Sequence, residues 1–283
     1  MDGNDNKLFW VGKLFRKFLI PVAVALSILT SCTGKGLRRV DLSHLELQSA
    51  TEKEVIAGIN RPSKVLQGLR AKLNLSLIEG GNKKESRCNG ILLALNKDHS
   101  GIYLKGYRRL LPTFFTLVSN DEKFWFYIPS QNVVYTGPKD FARNASDSIK
   151  LYLTAPDLFR ALFIEPLESG SVWNIRKEDT NFVVKVYEDN LLKRQIWIEG
   201  RGLNAIRETF FDNRGNAQLN IHRGRYVDLD GYFYPAYIML NDVSSGHSVS
   251  LAFNTITLNP ENLSTEAFSF KIPSNARVIP IDI

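Results

Sequence analysis

Two cysteines are the first residues with chemistry to offer. Cys32 follows Leu29-Thr30-Ser31, at the end of a segment that begins with Lys7, Lys13, Arg16 and Lys17 and continues through the apolar stretch Phe18 to Leu29. That stretch is about a dozen residues, short of the ~20 a transmembrane helix needs, and small residues precede the thiol, so it reads as a cleaved export signal. Cys88 stands beside Arg87, a neighbour that could favour a thiolate, but it reads as a small residue entering a strand. With Cys32 modified, no intramolecular disulfide is available to the fold. The four histidines, His44, His99, His222 and His247, are far apart and none has the i, i+4 spacing of a helical metal site. Gly200-Arg201-Gly202-Leu203-Asn204-Ala205 matches a dinucleotide fingerprint only loosely, and a strand pattern follows it where a helix should start. Acidic pairs such as Glu178-Asp179 and Asp228/Asp230 flank turns, where solvated carboxylates are ordinary. The sequence therefore predicts no catalytic site, no metal and no cofactor.

Hydrophobic residues make up 44% and charged residues 23% of the chain, the balance of a folded globular domain. The net charge of +7 is spread along the chain among acids, whereas phosphate-backbone binding wants cations clustered, so no nucleic-acid partner is expected. The division that follows is residues 1–31 as export signal, 32–50 as modified cysteine and polar tether, and 51–283 as one domain, expected to be monomeric.

The elements of that domain are legible from period and punctuation. Thr51-Glu52-Lys53-Glu54 fits a capping box, and Val55, Ile56, Ile59 and Leu66 follow at helical spacing. Pro62 predicts a break or kink there before a second turn through Leu69. From Leu73 the period becomes two, with Leu73, Leu75 and Leu77 alternating with polar residues. Similar runs recur to Val249–Leu258, separated by turn sequences such as Asp212-Asn213-Arg214-Gly215 and Ser245-Gly246. About 11 to 13 strands joined mostly by tight turns predict a mainly β (α+β) fold: a half-open, curled antiparallel barrel, because twist accumulates across so wide a sheet. One segment departs from the meander. Ala155–Phe163 places Leu158, Phe159, Leu162 and Phe163 on one stripe, a short helix that needs a face to cover.

Phe124-Trp125-Phe126-Tyr127-Ile128 is apolar on both faces, so both need cover; the N-terminal helix is expected over one and the Leu158–Phe163 helix over the other. A curled sheet under a helical lid could enclose an apolar ligand, with Phe115, Leu117, Trp125, Tyr127, Leu158, Phe159 and Leu162 as the candidate lining. The alternative is that these side chains simply pack on one another as core.

Leu29-Thr30-Ser31-Cys32 resembles the lipobox of bacterial lipoprotein precursors, which implies lipidation of Cys32 and anchoring through its acyl chains. The segments Ser119-Asn120-Asp121-Glu122-Lys123-Phe124-Trp125-Phe126-Tyr127-Ile128-Pro129, Phe211-Asp212-Asn213-Arg214-Gly215, and Leu258-Asn259-Pro260 through Phe268-Ser269-Phe270-Lys271-Ile272-Pro273 are similar to motifs of the LolA/LolB superfamily of lipoprotein carriers and receptors, whose fold is also seen in RseB and LppX. The resemblance implies a half-open barrel with helices plugging its mouth, holding lipid or lipoprotein acyl chains without chemical turnover. Asn120-Asp121 replaces the family's Asp-Gly, and no position can be assigned to the lid-closing arginine of LolA-type carriers. Tyr107-Arg108-Arg109-Leu110-Leu111-Pro112 falls where LolB carries a protruding loop, which implies Arg108, Arg109, Leu110 and Leu111 as a membrane-delivery loop; the alternative is that Leu110 and Leu111 turn inward to start the next strand. Thr33 lacks the aspartate that retains lipoproteins at the inner membrane, which implies the outer membrane, facing the periplasm, with a periplasmic carrier protein as a possible partner. Two rival functions stay open: an RseB-like sensor or partner-binding protein, and a hydrolase whose site the sequence hides.

Because one acyl chain binds membranes only marginally, with an association constant on the order of 10⁴ M⁻¹, stable anchoring needs several. Cys32→Ala is expected to leave the precursor uncleaved at this site or to release the protein as a soluble species; wild-type protein without lipid mass on Cys32 would refute the anchor.

Overall fold

The computed structural model describes residues 37–41, 49–80, 84–108, 113–139, 154–168 and 170–281. Helix α1 spans Glu52–Val65 and helix α2 Ala155–Leu162. The strands are β1 (Gly68–Ile78), β2 (Glu85–Asn96), β3 (Ser100–Tyr107), β4 (Thr113–Ser119), β5 (Lys123–Ile128), β6 (Val133–Pro138), β7 (Val172–Glu178), β8 (Asn181–Glu188), β9 (Leu191–Glu199), β10 (Ala205–Phe211), β11 (Ala217–Leu229), β12 (Tyr232–Asp242), β13 (Ser248–Leu258) and β14 (Arg277–Pro280).

All 14 strands belong to one curled, non-closed sheet in the order β14-β6-β5-β4-β3-β2-β1-β13-β12-β11-β10-β9-β8-β7. The arrangement is two antiparallel meanders, β1 to β6 and β7 to β13, fused back to back where β1 pairs with β13. Alternation in β1 is as expected: Ala71, Leu73 and Leu75 are buried between exposed Arg70, Lys72 and Asn74. Cross-strand register then aligns Ala71, Leu92, Leu104, Leu117 and Phe126 in one row across five strands. Four of these five are at most 2% exposed, and each large aliphatic in the row stabilises by roughly 1.5–3 kcal/mol relative to an exposed position.

The sheet departs from expectation at one end, where the short β14 runs parallel to β6 instead of extending the meander. Arg277-Val278-Ile279-Pro280 is only four residues long, with a proline at its end and no alternation, so period alone cannot reveal it.

Helix α1 has the expected capping box, with Thr51 and Glu54 bonded reciprocally. The break expected at Pro62 does not occur. Pro62 sits inside the last turn, where only the Gly58 carbonyl loses a partner, and the Leu66 amide closes the end on the Pro62 carbonyl at 2.8 Å. There is no second turn through Leu69, because β1 begins at Gly68.

Neither helix covers the outer face of β5. Val55 and Ile59 of α1 instead pack with Phe182, Val184, Ile196 and Ile198 of β8 and β9. Cover for Trp125 and Tyr127 comes from the chain after β13: the Phe270 ring lies 6.5 Å from Trp125 and 5.9 Å from Tyr127. Two residues earlier, Phe268 is buried at the end of a 3-10 helix, Thr265–Phe268. It seats over Gly101, where any Cβ would collide with its ring. Truncating that plug, Phe268→Ala, is expected to lower unfolding stability by about 3–5 kcal/mol, read from urea denaturation; a change under about 1 kcal/mol would show that the segment is not integral to the fold.

Candidate functional site

The connection from β6 to β7 joins positions at opposite ends of the strand order, and α2 lies on it. Pro156 in its first turn and a capping box between Thr154 and Asp157 start the helix. Leu158, Ala161 and Leu162, with Phe163 just beyond, are buried in the main core, which also contains Leu104, Leu117, Ile238 and Leu251. The ring of Phe159 stacks at 4.8 Å on Phe163.

At its C-terminal end the helix is held by side chains of the sheet. Arg223 on β11 donates from Nη2 to the Arg160 carbonyl at 2.7 Å and from Nε to the Ala161 carbonyl at 3.1 Å. The Tyr234 hydroxyl donates to the Leu162 carbonyl at 3.2 Å, and Arg194 Nη1 to the Glu165 carbonyl at 2.7 Å. The bonds from Arg223 and Tyr234 satisfy carbonyls that a helix end leaves unpaired, Arg194 holds the chain just beyond that end, and the Arg223 cation faces the negative end of the helix dipole. The Asn60 amide of α1 adds a two-way bond to the Leu167 backbone, donating at 3.1 Å and accepting at 2.7 Å.

Behind this latch lies an ion triad. Glu208 on β10 is fully buried between Arg194 and Arg223 and bonds both. In the ladder it pairs with Ile196 on one side and Ile221 on the other, so it stands where the α1-covered cluster meets the main core. Burial opposes ionisation of Glu208, but the two guanidiniums, Arg194 foremost, outweigh it and hold the carboxyl below the usual glutamate range. Two guanidiniums against one carboxylate leave one positive charge over, and the α2 carbonyls face it. The Phe210 ring is flanked by guanidiniums as well, Arg160 at 5.0 Å and Arg194 at 5.7 Å.

Two cavities adjoin the latch. One of about 720 Å³ lies beside α2 and is lined by charged groups, among them Glu165, Lys193 and Arg194, as well as by Phe210 and Leu219. The other, of about 320 Å³, lies between α1, the turn around Gly202–Ala205, and β11 and β12. Both are of mixed polarity. The apolar space under α2 is filled by the helix's own side chains.

The candidate lining residues are divided between the two faces of the sheet. Leu117, Leu158 and Leu162 meet in the core, with Phe115 and Phe159 half-buried against it. Phe115 packs on Phe126 at 5.7 Å. Trp125 and Tyr127 lie on the opposite face under Phe270, because strand neighbours of Phe126 must point away from it. Arg108 stacks on the half-exposed Phe114 ring at 5.0 Å; Arg109, Leu110, Leu111 and Cys32 lie outside the described residues. Cys88 is half-buried, and burial pushes its thiol up against the opposing pull of Arg108. The residues missed by sequence reasoning are Arg194, Glu208, Arg223 and Tyr234. A signal for Arg223 was available, since it takes the next inward position after Leu219 and Ile221.

The same fold is found in solved structures of other proteins. A domain named for outer membrane lipoprotein sorting, from Vibrio parahaemolyticus, superposes with a TM-score of 0.56 at 16% identity, over 76% of this chain and 94% of that one. A DUF1329 family protein from Desulfovibrio piger gives 0.57 at 11% identity over 77% and 96%. The LolA superfamily protein NE2245 from Nitrosomonas europaea gives 0.51 at 11% identity over 78% and 99%. No family model and no curated protein matches the sequence itself.

Because the Glu208 carboxyl has a lowered folded pKa, its contribution to stability is fully present above the unfolded value, about 4.3, and is lost as pH falls through the lower folded value. Glu208→Gln is expected to cost about 3–5 kcal/mol at neutral pH, since it leaves two buried guanidiniums without a counter-charge, and to flatten the acid limb of the stability curve. An unchanged midpoint at pH 7 would show that the triad is not holding the concave face together.

Proposed function

We propose that this protein is an envelope lipoprotein, anchored through Cys32 to the outer membrane and facing the periplasm, that binds the acyl chains of lipids or lipoproteins on the concave face of its sheet. Helix α2 acts as the displaceable lid, and binding involves no chemical turnover. The observation that carries this reading is the asymmetry of the α2 seat. The helix buries an apolar stripe into an apolar concavity, yet its end is secured by discrete hydrogen bonds from Arg223 and Tyr234 to its carbonyls, and the chain just beyond it by Arg194 to the Glu165 carbonyl. A purely structural helix gains most from its apolar contacts; bonds at one end can open in sequence and expose that concavity to a chain. The likeness to lipoprotein-sorting folds supports the same reading, and a periplasmic carrier would be the natural source or recipient of cargo.

Tyr234→Phe keeps the buried ring and removes one latch bond, worth about 0.5–1.5 kcal/mol, or a few-fold to about tenfold in the opening equilibrium. The expected result is amide hydrogen exchange in α2 faster by that factor, with exchange in β1 and β13 unchanged, and faster uptake of a fluorescent fatty acid. Native mass spectrometry of gently purified wild type is expected to show bound acyl lipid. Trp125 is a poor reporter, because it lies on the outer face. If neither protein takes up acyl chains, α2 is core and the lid reading fails.

A further inference from the structure

The cavity of about 320 Å³ lies against the latch, with Leu162 at the end of α2 and Ile164 just beyond it in its wall. Its inner wall includes Arg223, and α1 contributes Arg61, whose guanidinium has only a long 3.5 Å contact with the Gly231 carbonyl. Asn204 lines the same space, and its amide nitrogen is buried without a hydrogen-bond partner. Tyr232 completes this wall. The one carboxylate present, Glu54, is committed to the α1 capping box, accepting from the Thr51 amide at 2.7 Å and its hydroxyl at 2.8 Å. The donors at this site thus outnumber the acceptors. The volume is at the low end for a ligand pocket, roughly 300–1,000 Å³, and suits a headgroup rather than a whole lipid.

The triad supplies the second argument. It carries one positive charge in excess, and in the closed form that charge faces the α2 carbonyls, whose dipole end amounts to only about half an elementary charge. When α2 lifts, Arg223 loses two acceptors and the excess charge has no counter-group. A full anion satisfies it better than the carbonyls do, in a bidentate geometry that suits a guanidinium. The chain's own layout adds a third observation. Leu37–Asp41, inside the segment expected as tether, instead joins the described fold beside this cavity: Arg39 bridges to Val227, and the Val40 amide donates to the Tyr226 carbonyl at 2.8 Å.

We infer that this cavity binds the anionic head of an amphiphile, a phosphate or carboxylate that takes on Arg223 the place the α2 carbonyls hold in the closed form. Arg61 and Asn204 complete the anion's coordination. Head binding and lid release are then coupled, because the head and the lid compete for the same guanidinium donors, and a neutral lipid with identical chains lacks that lever. The inference rests on the reading of the concave face as an acyl site and specifies which amphiphiles that site selects.

The test is competition, by native mass spectrometry of the mature protein in non-ionic detergent, between dioleoyl phosphatidylglycerol and dioleoylglycerol, with inorganic phosphate in a separate titration. The expected result is a preference for the phospholipid of about tenfold or more, the size of one charge-assisted hydrogen-bond set. Arg61→Gln, at an exposed position, and the near-isosteric Asn204→Asp should each lower that ratio. Equal binding of the two lipids overturns the inference and leaves the acyl site standing; binding of neither overturns both. A ratio unchanged in both variants removes the head from this cavity. Inorganic phosphate binding as tightly as the phospholipid would make the site one for the free anion.

Discussion

Arg223 ties two neighbouring strands of the sheet to the helix that crosses it. It extends from β11 to Glu208 on β10 and to the carbonyls at the end of α2, so sheet and lid share one guanidinium. Arg194 does the same from β9, to Glu208 and the Glu165 carbonyl. A buried ion group of this kind is a poor source of net stability, because desolvation offsets most of the attraction. What it confers is position: an unsatisfied guanidinium in the core is costly, so α2 has one low-energy placement along the concavity, with its last carbonyls over the triad.

The topology explains why a helix has to be placed there at all. Two meanders fused at the β1–β13 pair leave β6 near one end of the sheet and β7 at the other. The chain between them has to cross the sheet, and the concave side offers an apolar surface that the crossing segment can bury. A sheet closed into a barrel would have removed both the crossing and the space it occupies. Parallel addition of β14 beside β6 and the Phe268–Phe270 plug over the outer face finish the β6 end of the sheet. The outward aromatics of β5 thereby belong to structure, while the inward Phe126 shares the row that meets the lid's cluster.

Much of this was legible in the residues. The Thr51 and Glu54 capping box, the Leu158 stripe, and the alternation of β1 report local energetics, and local energetics set helix starts and strand faces. What could not be read was pairing at a distance. Nothing near Trp125 in the sequence announces Phe270, and nothing near Val55 announces Val184 and Ile196. Pro62 shows the converse failure, a strong local rule made inexpensive by its position in the last turn. The candidate site suffered most, because Arg194, Glu208 and Arg223 each read as an ordinary strand charge. Only the register that brings three strands side by side makes them one group.

If α2 is displaced by cargo as proposed, the helix and a ligand are alternative occupants of the same apolar surface, and that sets the size of an effective ligand. Leu158, Leu162 and Phe163 each gain roughly 1.5–3 kcal/mol from burial, and a methylene about 0.8 kcal/mol, so an acyl chain must bury roughly six to eleven methylenes to match them. Chains of membrane-lipid length pass that threshold, and short fatty acids do not. Apparent affinity is further reduced by the fraction of molecules whose lid is open, so every bond in the Arg223–Tyr234 latch raises the threshold. An anionic head that takes over Arg223 lowers it again. On that proposed reading, the polar triad beneath the apolar helix is the part of the fold through which both the chain and the charge of a cargo would act on its retention.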